Sequence, residues 1–71
     1  MITTIEISEL GSVQVQVIPD GRFWWAEGIS VDYGAQGDTV EDSLEHFQIG
    51  LNATVRLHLQ KFGNTEKLLR W

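Results

Sequence analysis

The strongest constraint on the fold is a single apolar stripe in the second half of the chain. Its members recur at three- and four-residue intervals, the spacing of one helix face: Leu44, Phe47, Leu51, Val55, Leu59 and Phe62. Gly63 follows as the expected helix stop. The pattern predicts one helix over residues 40–62, about 35 Å long. In a chain of 71 residues, such a helix needs an apolar surface to cover, and the first half must supply it.

The residues before the stripe predict where the helix begins. Gly37 leads into Asp38 and Thr39, and either of these two polar residues can serve as the N-cap. Glu41 and Asp42 then lie in the first turn, where the helix dipole favours negative charge.

The first half of the chain predicts a sheet. Val13, Val15 and Val17 alternate with glutamines, which is typical of a strand with one buried face. Residues 2–7 and 23–29 are further strand candidates, and a short strand is expected around residues 33–36. The predicted fold class is therefore α+β, in the order β-β-β-α. It has a small antiparallel sheet of three to four strands, including an extra N-terminal strand, packed on one long helix. A short C-terminal strand could add Leu68, Leu69 and Trp71. Residues 1–71 form a single domain.

The turn at residues 19–21 decides which tryptophan is buried. Pro19 has no N–H for a ladder bond, so we expect a three-residue loop with a glycine bulge. That register pairs Val17 with Phe23 and places Trp24 on the face opposite the valines. A slip of one residue would exchange Trp24 and Trp25.

Charge and composition exclude several classes of function. Acidic residues outnumber basic ones by 10 to 5, and the formal net charge of −5 would repel a phosphate backbone. There is no cysteine, which excludes disulfides and thiolate zinc sites. The N-terminus lacks the pattern of a signal peptide and no apolar run is long enough to cross a membrane. We expect a cytoplasmic protein without direct contact to nucleic acid or membrane.

The sequence offers little chemistry. His46 and His58 lie 12 residues apart, too far along one helix to share a metal ion. Asp32, Asp38 and Asp42 could in principle hold magnesium, but loop and capping roles explain them better. We therefore predict no catalytic residues, no metal and no cofactor, and a protein that is not an enzyme.

Binding residues are predicted on the exposed side of the sheet and its adjoining loop. An aromatic side chain on an open sheet face is a typical anchor for a partner, and the predicted set is Trp24, Glu27, Asp32 and Tyr33. On the helix, Ile49, Ala53 and Leu57 lie off the main stripe. They are either an oligomer face or ordinary exposed apolar residues.

Residues 13–51 resemble the HicB antitoxin family. The matching segments are Asp20-Gly21-Arg22-Phe23-Trp24-Trp25-Ala26 and Gln36-Gly37-Asp38-Thr39-Val40-Glu41-Asp42-Ser43-Leu44. The resemblance implies a partial ribonuclease-H-like fold without catalytic residues, a homo-dimer or higher oligomer, and a HicA-like toxin as partner. Two family features are absent, the Pro-Gly segment after the aromatic strand and the C-terminal DNA-binding module, which puts operator binding in doubt.

The resemblance and the acidic charge predict a non-catalytic protein-binding domain. Its function would be that of an antitoxin-like inhibitor of a small basic ribonuclease toxin. The alternative is a stand-alone HicB-like interaction domain, for example a phage or mobile-element inhibitor that acts on a basic nucleic-acid-binding machine.

Overall fold

A computed structural model describes residues 1–70 and confirms the α+β class. Within this range a four-stranded antiparallel sheet packs one face against one long helix, and the strands follow one another in the order β1-β2-β3-β4. The elements are β1 (Ile2–Ile7), β2 (Gly11–Asp20), β3 (Phe23–Gly28), β4 (Gly34–Gly37), α1 (Val40–Phe62) and a short 3₁₀ helix (Glu66–Leu68). The expected N-terminal strand and the third-strand region around residues 33–36 are both present.

Alternation along β2 produces the core face of the sheet. Val13, Val15 and Val17 are buried, whereas Gln14 and Gln16 between them are exposed. Strand β1 contributes Ile5 and Ile7 to the same side, paired with Val13 and Gly11. The helix covers this side, so burial of apolar area on one face stabilises the sheet while its other face stays open.

The predicted register between β2 and β3 is wrong. Asp20 pairs with Phe23, Pro19 with Trp24 and Val17 with Ala26, so the loop consists of Gly21 and Arg22 alone. Gly21 has φ 66°, as the first central position of a type II′ turn requires.

The position of Pro19 explains why the two-residue loop is tolerated. The N–H of Ile29 donates to the carbonyl of Gln14 at 3.0 Å, so the even-numbered residues of β2 exchange ladder bonds with β3. Pro19 therefore lies at a pair without hydrogen bonds, and its missing N–H costs no bond to β3.

The helix begins and ends as the sequence predicts. Of the two candidates, Thr39 is the N-cap: its Oγ1 accepts a hydrogen bond from the N–H of Asp42 at 3.0 Å. Gly63 closes the helix in the left-handed conformation, and its N–H donates to the carbonyl of Leu59. The buried helix residues are Ser43, Phe47, Leu51 and Val55. Phe62, at the far end of the stripe, is exposed, so the helix extends past the core.

Gly37 allows β4 to meet the start of the helix closely. A Cβ atom on Gly37 would lie 2.7 Å from Ser43 Cα, which leaves no room for a larger residue. In the Gly-Asp-Thr segment, Gly37 is therefore required for steric reasons and Thr39 caps the helix.

The tail after the helix differs from the expected strand. Leu68 is buried within the short 3₁₀ helix, and Leu69 forms a single β-bridge with Val31. The N–H of Asp32 donates to the carbonyl of Leu68 and that of Arg70 to the carbonyl of Ser30, which fixes the tail on the loop before β4. Trp71, which the strand prediction included, lies outside the described residues.

Candidate functional site

The sheet face opposite the helix is the candidate site. Ile18 on β2 lies directly opposite Trp25 on β3, and Phe23 is two residues from Trp25 on the same side. Ile2 on β1 is the diagonal neighbour of Ile18, because it pairs with Gln16. We name these four residues, Ile2, Ile18, Phe23 and Trp25, the apolar patch.

The apolar patch is exposed in spite of its composition. Ile2, Ile18 and Phe23 expose 62%, 41% and 40% of their surface, and Trp25 is partly buried. Single exposed apolar residues are common, but a contiguous aromatic and aliphatic group on one open face is typical of an interaction surface.

The indole of Trp25 is held in place by a glycine on the neighbouring strand. A Cβ atom on Gly34 would lie 2.9 Å from both Cε2 and Cη2 of Trp25, so the ring lies over the Gly34 backbone. This contact limits the positions that the ring can take. An aromatic side chain that is already ordered loses little conformational entropy when a partner binds to it.

Charged groups lie beside the apolar patch. Glu27 is on the same face as Trp25 and pairs with Gln16 across the strands. Its carboxylate is 3.8 Å from the Arg70 guanidinium, which is also 3.5 Å from Asp32. All three side chains are substantially exposed, so these contacts are screened by water and contribute little to stability.

Trp24 is not on the open face, which corrects the prediction. The two-residue loop places Trp24 on the side of Val17 and Ala26, where it packs, partly buried, against the core. Trp25 takes the position that the sequence assigned to Trp24.

Tyr33 is also on the helix side. Its ring packs edge-on against Phe47 with centroids 5.4 Å apart, and its hydroxyl lies over Gly50 of the helix. The structure therefore does not bring the four predicted binding residues together. Glu27 lies on the open face and Asp32 in an exposed loop, and Arg70 joins these two, whereas Trp24 and Tyr33 pack towards the helix.

The outer face of α1 carries the three residues predicted as an oligomer face. Ile49 and Leu57 expose 61% and 57% of their surface, and Ala53 between them is exposed as well. Their role in assembly stays a prediction.

His46 and a small surface cavity are the other features that could take part in chemistry. His46 Nδ1 donates to the carbonyl of Gln36 at 2.6 Å, so it ties the helix to β4. Among residues 1–70, no three histidine or carboxylate side chains gather as metal ligands. A surface cavity of about 140 Å³ lies between the β1–β2 turn and the helix, lined by Ser8, Glu9, Asn52, Val55, Arg56 and Leu59. It is smaller than the sites that hold drug-sized ligands.

The sequence missed all four members of the apolar patch, because the predicted register placed Phe23 and Trp25 on the core face and Ile2 and Ile18 were not selected. Gly21 could have indicated the position of Trp25. A glycine at the first position of a two-residue hairpin loop is typical of a type II′ turn, and that turn sets the register between β2 and β3. The pairing of Ile18 with Trp25 follows from that register, and Ile2 depends on the β1–β2 pairing.

Comparisons with protein-family models, curated proteins and solved structures gave no match to this chain. The fold and the site define a small α+β domain with one open, partly aromatic sheet face, and the resemblance to HicB antitoxins stays a prediction. In the described range, the helix is not both long and apolar enough to cross a membrane.

Proposed function

We propose that this chain is a non-catalytic protein-binding domain that recognises a basic partner with the open face of its sheet. The observation that carries the proposal is the pairing of Trp25 with Ile18 on the side that the helix leaves uncovered. Tryptophan is enriched among the residues that contribute most to protein interfaces, where it lies near the centre and is surrounded by polar groups. The apolar patch fits that arrangement, because Gln16, Gln36 and Glu27 border it.

Charge supports a basic partner. The chain has a formal net charge of −5, and Asp20 and Glu27 lie on the same side of the sheet as Trp25. Arg70 faces both Glu27 and Asp32, so this part of the surface retains an excess of negative charge. Complementary charge increases the rate of association and disfavours acidic partners and nucleic acid.

The specific form of the proposal is an antitoxin-like inhibitor that acts in the cytoplasm. The HicB resemblance supports a HicA-like ribonuclease toxin as the basic partner. The alternative partner is a larger basic nucleic-acid-binding machine, which an acidic domain would block by occupying the channel for the nucleic acid. Both forms use the same surface and differ in the identity and activity of the partner.

The first experiment is affinity capture from the cells of origin, followed by reconstitution from purified proteins. We expect a basic protein in stoichiometric amount that is released by high salt and rebinds after purification. Trp25→Ala should weaken rebinding by at least about tenfold, or about 1.4 kcal/mol. Leu57→Ala is the matched control, because it removes an exposed apolar side chain from the opposite side of the molecule. Equal losses in both variants, or no basic partner at any salt concentration, would contradict the proposal.

The second experiment separates the two partners and tests for catalysis. A toxin partner should cleave RNA by itself and lose that activity when the chain is added in equimolar amount. If the captured protein is instead a multidomain nucleic-acid-binding protein whose binding is blocked, the alternative is correct. Magnesium-dependent RNA cleavage by the pure chain, abolished in Asp38→Ala, would show that it is an enzyme.

A further inference from the structure

The outer edge of β1 presents backbone groups that the sheet does not use. Met1 and Val17 exchange two backbone hydrogen bonds, of 3.0 and 2.8 Å. In an antiparallel pair such bonded positions alternate with unbonded ones. The N–H and C=O groups of Ile2, Thr4 and Glu6 therefore point away from β2, towards the edge of the sheet.

Helix side chains cover one end of this edge. Gln48 Nε2 donates to the carbonyl of Glu6 at 3.1 Å, and the N–H of Ser8 donates to Asn52 Oδ1 at 2.9 Å. Within residues 1–70, the outward groups of Ile2 and Thr4 have no such partner. Ile2 and Thr4 are thus the two residues of this edge whose N–H and C=O groups both point outward with neither engaged by the helix.

The free part of β1 also lacks the features that usually prevent edge pairing. Residues 2–5 are Ile-Thr-Thr-Ile, with no charge and no proline. The other edge differs: β4 has only four residues, and His46 binds the outward carbonyl of Gln36. The edge at β4 is therefore shorter than the edge at β1, and one of its outward carbonyls is already engaged.

We propose that a second copy of this chain pairs antiparallel with β1, around a two-fold axis at Thr3. This register places Ile2 of each copy opposite Thr4 of the other, and each of the two pairs exchanges two backbone hydrogen bonds. The outward N–H and C=O groups of Ile2 and Thr4 are then satisfied in both copies. A strand of unrelated sequence could pair here as well. A second copy is favoured because its own free residues, Ile2 and Thr4, lie opposite Thr4 and Ile2 of the first copy.

Side-chain charge and placement are compatible with this pairing. Glu6 is the only ionisable side chain of β1, and in this register it extends beyond Met1 of the second copy, so no two carboxylates face each other. The two-fold axis keeps both helices on one side and both open faces on the other. Ile2 would then join the two apolar patches into one surface. The proposal goes beyond partner binding, because it depends on the β1 backbone and not on Trp25.

The test is sedimentation of the full chain over a wide range of concentration, with hydrogen exchange as a second measurement. We expect a reversible monomer–dimer equilibrium and protection of the Thr4 amide that increases with dimer content. Thr4→Pro removes an outward N–H without removing a bond to β2, so it should yield a folded protein whose dimerisation is weakened at least about tenfold. Thr4→Val is its matched control, because it keeps the N–H and should leave the dimer intact.

A second pair of variants keeps the test decisive. Ile2→Lys places a charge at the edge and should also weaken the dimer, which covers the case in which Thr4→Pro fails to fold. Ile49→Glu on the outer face of the helix should leave the dimer unchanged. A monomer at every concentration would overturn the proposal, and so would a dimer lost in Ile49→Glu but retained in Ile2→Lys.

Discussion

The hydroxyl of Tyr33 lies over the Cα atom of Gly50, so the loop before β4 and the middle of the helix touch without a side chain between them. Gly50 lies inside a helix of 23 residues, where glycine is less favourable than alanine by about 1 kcal/mol. The close contact with Tyr33, whose ring also packs on Phe47, explains why a glycine is found there.

Replacing Gly50 should therefore destabilise the protein although it improves helix propensity. A Cβ atom would lie 2.9 Å from Tyr33 Cζ and closer still to the hydroxyl. We expect Gly50→Ala to lower the free energy of unfolding by about 1–3 kcal/mol, the usual range for overpacking. Urea denaturation followed by circular dichroism measures this change.

Tyr33→Phe provides the control for that prediction. It removes the hydroxyl, which is the closest obstacle, and should reduce the penalty of Gly50→Ala by about 1 kcal/mol in a double-mutant cycle. Additive effects of the two changes would show that Tyr33 and Gly50 do not interact as the structure describes.

The two adjacent tryptophans should differ in their contributions to stability. Trp24 packs against the core on the helix side, whereas Trp25 lies on the open face. We expect Trp24→Ala to cost about 3 kcal/mol, which corresponds to a fall in Tm of more than 10 °C in a domain of this size. Trp25→Ala should cost less than half as much. Thermal unfolding of the two variants checks the difference, and equal losses would show that the register is wrong.

Gly34 should matter more for binding than for folding. In Gly34→Ala, the new methyl group would occupy the space of the Trp25 indole, and the ring can swing away because the open face offers it room. The indole N–H signal of Trp25 should shift in NMR spectra and partner affinity should fall. The change in the free energy of unfolding should stay below about 1.5 kcal/mol. An unchanged indole signal would contradict the contact.

Glu9 is a position where substitution should stabilise the protein. It has φ 72° in the turn between β1 and β2, a conformation that costs most residues with a Cβ about 1 kcal/mol. Glu9→Gly should raise the free energy of unfolding by about 0.5 kcal/mol, since part of the gain is offset by the greater freedom of the unfolded chain. Glu9→Ala retains the Cβ and serves as the control, with no increase expected.

The helix could be predicted from sequence because its determinants are local. Thr39, Gly63 and the apolar stripe lie within the segment that they define, and the structure places the helix at residues 40–62. The position of β2 followed equally from alternation, since Val13, Val15 and Val17 mark a buried face wherever the partner strands lie.

The candidate site could not be predicted in the same way, because it depends on pairing between segments. The face of Trp24 was decided by whether the loop has two or three residues, and Pro19 suggested the wrong choice. The position of Tyr33 depends on Gly50, which lies 17 residues further along the chain. The sequence does not indicate that the missing side chain of Gly50 makes room for Tyr33.

The hydrogen bond from His46 to Gln36 also affects how many molecules could join one continuous sheet by pairing at their edges. A sheet with two free edges can add further molecules at both edges and extend into a fibre. Here the edge at β4 is short and its Gln36 carbonyl is engaged by His46, so pairing through β1 would occupy the longer free edge of both molecules. Association would then end with a dimer. His46→Ala removes the hydrogen bond to the Gln36 carbonyl, and we expect it to favour fibrillar aggregation.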